Sequence, residues 1–155
     1  MTTWNSSAKQ KITQMHSIAL DFWEGDDNYL KHQFDRIARA IREGNATEEI
    51  HYGTYDLGQE AIRCLVAINQ WNPEEMLQLL VSKQHDYGHG NILAFGIVGV
   101  GIRACDKVAR YFNLKDQPDS AHNEPFIDCL KDMVGYAIIG MMLHDNTFIL
   151  ELESK

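Results

Sequence analysis

Three of the 155 residues are cysteine, three are proline, and no apolar run is long. Cys64, Cys105 and Cys129 are odd in number and none forms a Cys-x-x-Cys pair, which excludes a disulfide frame and fits reduced thiols packed as small core residues. With 45% hydrophobic and 23% charged residues, the shortage of proline excludes collagen-like, disordered and low-complexity classes. The most apolar run, 92–102 (Ile-Leu-Ala-Phe-Gly-Ile-Val-Gly-Val-Gly-Ile), falls far short of the roughly 20 residues that cross a bilayer, so no membrane partner is expected. Bases are also scarce: 14 against 22 acids, a net charge of -8 that repels duplex nucleic acid. Phosphate recognition on a small scale survives, because a few bases or a bound divalent cation reverse the field locally. The first residues, Met1-Thr2-Thr3-Trp4-Asn5, carry no basic segment followed by an apolar one, so a cytoplasmic location is expected.

What the sequence does have is helical spacing. Apolar residues recur at three and four, alternating stretches between hairpin turns are nearly absent, and 155 residues suit one domain, so a single all-α bundle of about six helices is expected over 1–155. A first helix is expected over about 7–23 with Ile12, Met15, Ala19 and Phe22 inward, stopped by Glu24-Gly25-Asp26-Asp27. Tyr29, Phe34, Ile37 and Ile41 mark a second, closed by Gly44-Asn45. A polar connection over 48–53 then leads to a third, with Leu57, Ala61, Leu65 and Ile68 inward. Asn72-Pro73-Glu74-Glu75 starts a fourth, with Met76, Leu77, Leu80 and Val81, and the glycines of 86–91 end it. A fifth extends to about Leu114, a polar loop with Pro118 follows, and a sixth runs from Pro125 to Leu143 or His144. The tail over 147–153 alternates weakly, as a short edge strand or an arm onto a partner subunit would. Met133, Ile138, Ile139, Met141 and Met142 surround most of the sixth helix with apolar surface, which predicts a homo-oligomer.

Three clusters carry chemistry. Glu124, Asp128 and Asp132 lie four apart on the sixth helix, each displaced by about 40° from the last, and so form a stripe. A solvated face explains it, and so does a Mg²⁺ ion, which takes hard oxygen ligands from one or two carboxylates plus substrate phosphates. Arg103, Asp106, Lys107 and Arg110 share one face of an otherwise apolar helix; an Asp106–Arg110 ladder would account for two of them. The short loop between these helices predicts antiparallel packing that brings Asp106 within reach of Asp128 or Asp132. Lys83, Asp86, Tyr87 and Asn91 form the third cluster, at a helix end where donors approach a ligand. His85 and His89 would share a zinc ion only if the helix continued through Gly88. An unpaired carboxylate at Asp132, between Leu130 and Met133, would be costly if buried, so a cation or a base is expected beside it.

Lys83-x-x-Asp86-Tyr87-Gly88, then Arg103-x-x-Asp106-Lys107-x-x-Arg110, then Glu124-x-x-x-Asp128-x-x-x-Asp132-x-x-Gly135-Tyr136-Ala137, resembles the nucleotide modification associated family of phage and bacteria. That family is similar to the all-α nucleoside triphosphate pyrophosphatases of MazG type. The resemblance covers 76–143. It implies a dimeric or larger helical bundle that binds Mg²⁺ through helix-borne acids and cleaves a nucleotide between its α and β phosphates, in the host cytoplasm where the protein is phage-encoded. Asp106, Glu124, Asp128 and Asp132 would hold the metal, with Asp106, Asp128 and Asp132 catalytic. Lys83, Asp86, Tyr87, Asn91, Arg103, Lys107 and Arg110 would hold the phosphates and the rest of the ligand. The sequence departs from the pyrophosphatase pattern in having no Glu-x-x-Glu helix and in placing Cys129 where the second motif has Glu. Three functions follow: a Mg²⁺-dependent nucleoside triphosphate pyrophosphohydrolase, a protein that sequesters a nucleotide or nucleotide-derived signal as a phage counter-defence protein would, and a structural oligomerisation module.

Overall fold

The computed structural model describes residues 1–21, 25–44, 47–120 and 123–155. These described residues are all-α and form six helices: α1 (Trp4–Leu20), α2 (Asn28–Glu43), α3 (Thr47–Ala67), α4 (Pro73–Tyr87), α5 (Gly90–Lys115) and α6 (Glu124–His144). The described residues contain no strand. Phe22, Trp23, Glu24 and Asn45, named above at the ends of the first two helices, lie outside the described residues.

Local chemistry sets the helix ends. Thr3 and Ser6 form a reciprocal capping box that starts α1 at Trp4. Asn72 starts α4 with its side-chain oxygen accepting from the Glu74 and Glu75 backbone N–H groups at 3.0 and 3.1 Å, and Pro73 takes the first helical position, where no donor is lost. The connection expected over 48–53 is instead the first turns of α3. Its polar residues, Glu48 and Glu49, favour a helix amino terminus and face water, while Ile50, Gly53 and Thr54 turn inward.

The core is built on α3 and α6, with α2 and α5 closing one side and α1 and α4 the other. Thr54 lies against Gly140 and Gly58 against Ala137, so α3 and α6 run antiparallel; a Cβ on Gly58 would collide with the Ala137 and Met15 side chains, which is why the helices approach so closely there. Ile97 opposite Gly140, Lys107 opposite Asp132 and Tyr111 stacked on Phe126 make α5 antiparallel to α6 as well. Inside α5, Gly96 departs from helical geometry at φ 58° and ψ -147°, a backbone that side chains rarely adopt, and kinks the helix.

The packing bears on two expectations. Met133, Ile138 and Met142 are fully buried, Ile139 nearly so and Met141 in part within this one chain, so the apolar surface of α6 that suggested a homo-oligomer is covered by the chain's own helices. The large apolar side chains left in water on α5 are Leu93, Phe95, Val98 and Ile102. The tail is neither a strand nor an outstretched arm: it folds back over α1 and the α4–α5 turn. Phe148 is fully buried against Trp4 and His89, the Trp4 backbone N–H donates to the Glu151 carbonyl at 3.0 Å, and His89 Nε2 lies 2.9 Å from the Leu150 carbonyl. The two aromatic contacts of Phe148 outweigh the weak alternation that suggested a strand. No described helix is long and apolar enough to cross a membrane.

Candidate functional site

The end of α4, the start and middle of α5 and the middle of α6 enclose a cavity of about 310 Å³. Lys83 enters from the penultimate turn of α4 and Tyr87 from its last residue. Gly88, at φ 70°, ends α4 with its N–H on the Gln84 carbonyl, and α5 then begins with Asn91 and Ile92 on the cavity wall. Eleven to sixteen residues further along, the same helix delivers Arg103 and Lys107, which share a face because they are four apart. Antiparallel α6 contributes Lys131, Asp132, Gly135, Tyr136 and Ile139.

Asp132 ties two of the cavity's bases together. Asp132, with 16% of its side chain exposed, accepts from Lys83 Nζ at 2.6 Å through Oδ1 and pairs with Lys107 Nζ at 3.1 Å through Oδ2. The base expected beside Asp132 is therefore present twice. Burial alone would lower the Lys107 pKa, but the hydrogen bond and charge of Asp132 more than offset it and the pKa is raised. Burial, reinforced by Asp132, raises the Tyr136 phenol, while Lys107, Arg103 and Lys83 pull it the other way. Tyr136 is therefore a neutral hydrogen-bond donor amid three cations. Burial also raises the Cys129 thiol against the pull of Arg110 and Lys107, leaving it an inert neighbour of the site. Met76, Leu79, Leu80, Ile92 and Ile139 add apolar wall to the same cavity.

The lining residues carry four bases, Lys83, Arg103, Lys107 and Lys131, against one acid, Asp132. In a chain of net charge -8 this is a local reversal of sign. Low-dielectric walls focus such a field, so the cavity is suited to an anion with an apolar portion attached.

The sequence-derived residues divide accordingly. Lys83, Tyr87, Asn91, Arg103, Lys107 and Asp132 converge on the cavity. Asp86, Asp106, Arg110, Glu124 and Asp128 are exposed and do not line it. Toward Asp132, α5 presents Lys107 rather than Asp106. No three His, Cys, Asp or Glu side chains among the described residues gather where they could hold a metal ion. The one carboxylate in the cavity already has an ammonium on each oxygen. This donor set does not fit a dedicated Mg²⁺ centre, which needs free hard oxygens at octahedral positions. The His85–His89 zinc pair is also absent, since His89 is engaged with Gln84 and the Leu150 carbonyl beyond the end of α4.

Sequence reasoning missed Tyr136, Lys131 and the apolar wall. Tyr136 stood beside Gly135 in the third block, and its spacing of four from Asp132 signalled a shared face; Lys131 was readable only as a partner for the acidic stripe. Comparison of the chain with protein-family models, with curated proteins and with solved structures found no match.

Proposed function

We propose that this chain binds a nucleotide by its phosphates in the cavity between α4, α5 and α6, and that it holds the ligand rather than hydrolysing it. One observation carries the reading: Lys83, Arg103, Lys107 and Lys131 line the same cavity as a single half-buried carboxylate, Asp132, in an otherwise acidic protein. Arg and Lys supply charge-assisted hydrogen bonds to phosphate oxygens, and their excess over acid remains after Asp132 has been neutralised. The apolar lining of the cavity gives a base or sugar somewhere to rest, which inorganic phosphate would leave unused. The resemblance of 76–143 to the nucleotide modification associated family points to the same ligand class. Sequestration is favoured over Mg²⁺-dependent pyrophosphohydrolysis because Asp106, Glu124 and Asp128 stand outside the cavity.

The test is mass spectrometry of a nucleotide panel incubated with the protein, with and without Mg²⁺, before and after the protein is denatured. Intact nucleotide released on denaturation is the expected result. Nucleoside monophosphate and inorganic pyrophosphate formed only with Mg²⁺ would make the chain a pyrophosphohydrolase, and no retained or altered nucleotide would leave a structural helical module.

A further inference from the structure

A second cavity, of about 130 Å³, adjoins the first, and the two share Met76 and Leu79 of α4 and Lys131 of α6 as walls. Its far end is formed by Gln70, Trp71, Asn72 and Glu75, at the loop that precedes α4. The two cavities therefore lie side by side along α4, with the Met76, Leu79 and Lys131 side chains between them, and a ligand that occupies both passes over these three residues.

Trp71 is held as a wall rather than as a loose loop side chain. Its Nε1–H donates to His16 Nδ1 at 2.9 Å, and its ring lies nearly parallel to the His16 ring, with centroids 6.3 Å apart and planes inclined by 27°. Trp71 is half-buried and lines the small cavity. The His16 ring covers one face of the indole, so the platform for a base is its other face; every nucleobase has a π-face to stack there, and immobilising the indole in advance lowers the entropy cost of binding.

We infer that Trp71 is the base-recognition wall of the ligand site, so that the ligand lies along α4 with its phosphates at Lys83, Arg103 and Lys107 and its planar base on the indole. This inference rests on the nucleotide reading above. It also selects a ligand class, because α4 rises about 15 Å over the ten residues from Pro73 to Lys83. A nucleoside monophosphate, with its phosphate one sugar away from the base, reaches one end only. A nucleoside di- or triphosphate reaches both, with Lys131 beside the middle of its chain.

The experiment compares ATP, AMP and inorganic tripolyphosphate as ligands of the wild-type protein, Trp71→Leu and Trp71→Phe, by calorimetry and by tryptophan fluorescence without Mg²⁺. In the wild type, ATP is expected to bind roughly tenfold or more tightly than tripolyphosphate, the worth of one stacked base, and to quench a signal that Trp71→Phe lacks. AMP binds more weakly than ATP. Trp71→Leu removes the preference of ATP over tripolyphosphate and leaves tripolyphosphate binding in place. Trp71→Phe keeps most of the preference, since it keeps a ring face while losing the bond to His16. Equal loss in both variants would place the effect in the Trp71–His16 link and overturn the inference, as would equal wild-type affinity for ATP and tripolyphosphate. That last result leaves phosphate binding at the cationic cavity standing, whereas failure of all three ligands to bind overturns both readings. Should Trp71→Leu fail to fold, the wild-type preference and the quenching lost in Trp71→Phe still decide the question.

Discussion

Replacing Asp132 by Asn separates an anion site from a metal site, because the two predict opposite signs. Asp132 holds Lys83 and Lys107 through its two oxygens, and Asn keeps the volume and one acceptor oxygen but loses the charge. Hydrogen bonds to charged groups contribute about 1.5–3 kcal/mol. Lys83 is nearly half exposed and recovers water when released, which holds the expected destabilisation to about 1–2 kcal/mol. Binding should move the other way. A phosphate that shares those ammonium groups would sit roughly 6 Å from the Asp132 carboxylate, where two unit charges repel by about 3 kcal/mol at an effective dielectric constant of 20, before salt screening. Screening that halves this repulsion leaves about 1.4 kcal/mol, and its removal with the charge tightens binding about tenfold. The assays are calorimetric titration with ATP in Mg²⁺-free buffer and urea unfolding of both proteins. Loss of nucleotide binding in a folded Asp132→Asn variant would refute the argument and return Asp132 to the role of a cation ligand.

Gly58→Ala and Gly135→Ala should differ in sign: a Cβ at Gly58 collides with Ala137 on the facing helix and costs about 1–3 kcal/mol, while one at Gly135 meets Leu80 and Met76 at ordinary distances of 3.5 and 3.6 Å and gains helix propensity, about 1 kcal/mol, both read by urea unfolding. His51 packs edge-on to His144 with centroids 5.1 Å apart, and burial followed by the charge of His144 depresses its pKa. A base with a folded pKa below its unfolded one loses stability as pH falls through about 6.5, so Tm should drop from pH 7.5 to 5.5 and His51→Gln should flatten that slope. Burial pushes the Cys64 thiol up to about 12 and the Cys105 thiol to about 11, so neither should react with a thiol reagent at pH 8 until the protein is unfolded, as measured by absorbance on labelling.

How much of this was legible from the residues differs between the fold and the site. Helix starts with explicit chemistry, such as Asn72-Pro73, were readable, as was the stop at Gly88, because capping and φ preference act locally. The start of α3 was not, because Glu48, Glu49 and His51 read as polar loop until Ile50, Gly53 and Thr54 have a core to face. The sixth-helix stripe shows where local reasoning stops. Each step of four drifts by about 40°, so over two steps the stripe turns by about 80°, which leaves Glu124 and Asp128 in water while Asp132 reaches α4 and α5. Which helix supplied its partners depended on tertiary packing, and α5 offered Lys107 where spacing alone allowed Asp106. The apolar surface of α6 likewise looked uncovered, because spacing along one helix does not reveal that α3 and α5 pack over it.

The most direct test of the anion site is calorimetric titration of ATP into the wild-type protein and into Arg103→Ala/Lys107→Ala at one fixed ionic strength and without Mg²⁺. Two charge-assisted contacts contribute about 3 kcal/mol or more together, so the account predicts saturable one-site binding by the wild type and a loss of about a hundredfold in the variant. Wild-type protein that takes up no nucleotide, or a folded variant that binds ATP as tightly as the wild type, would contradict it.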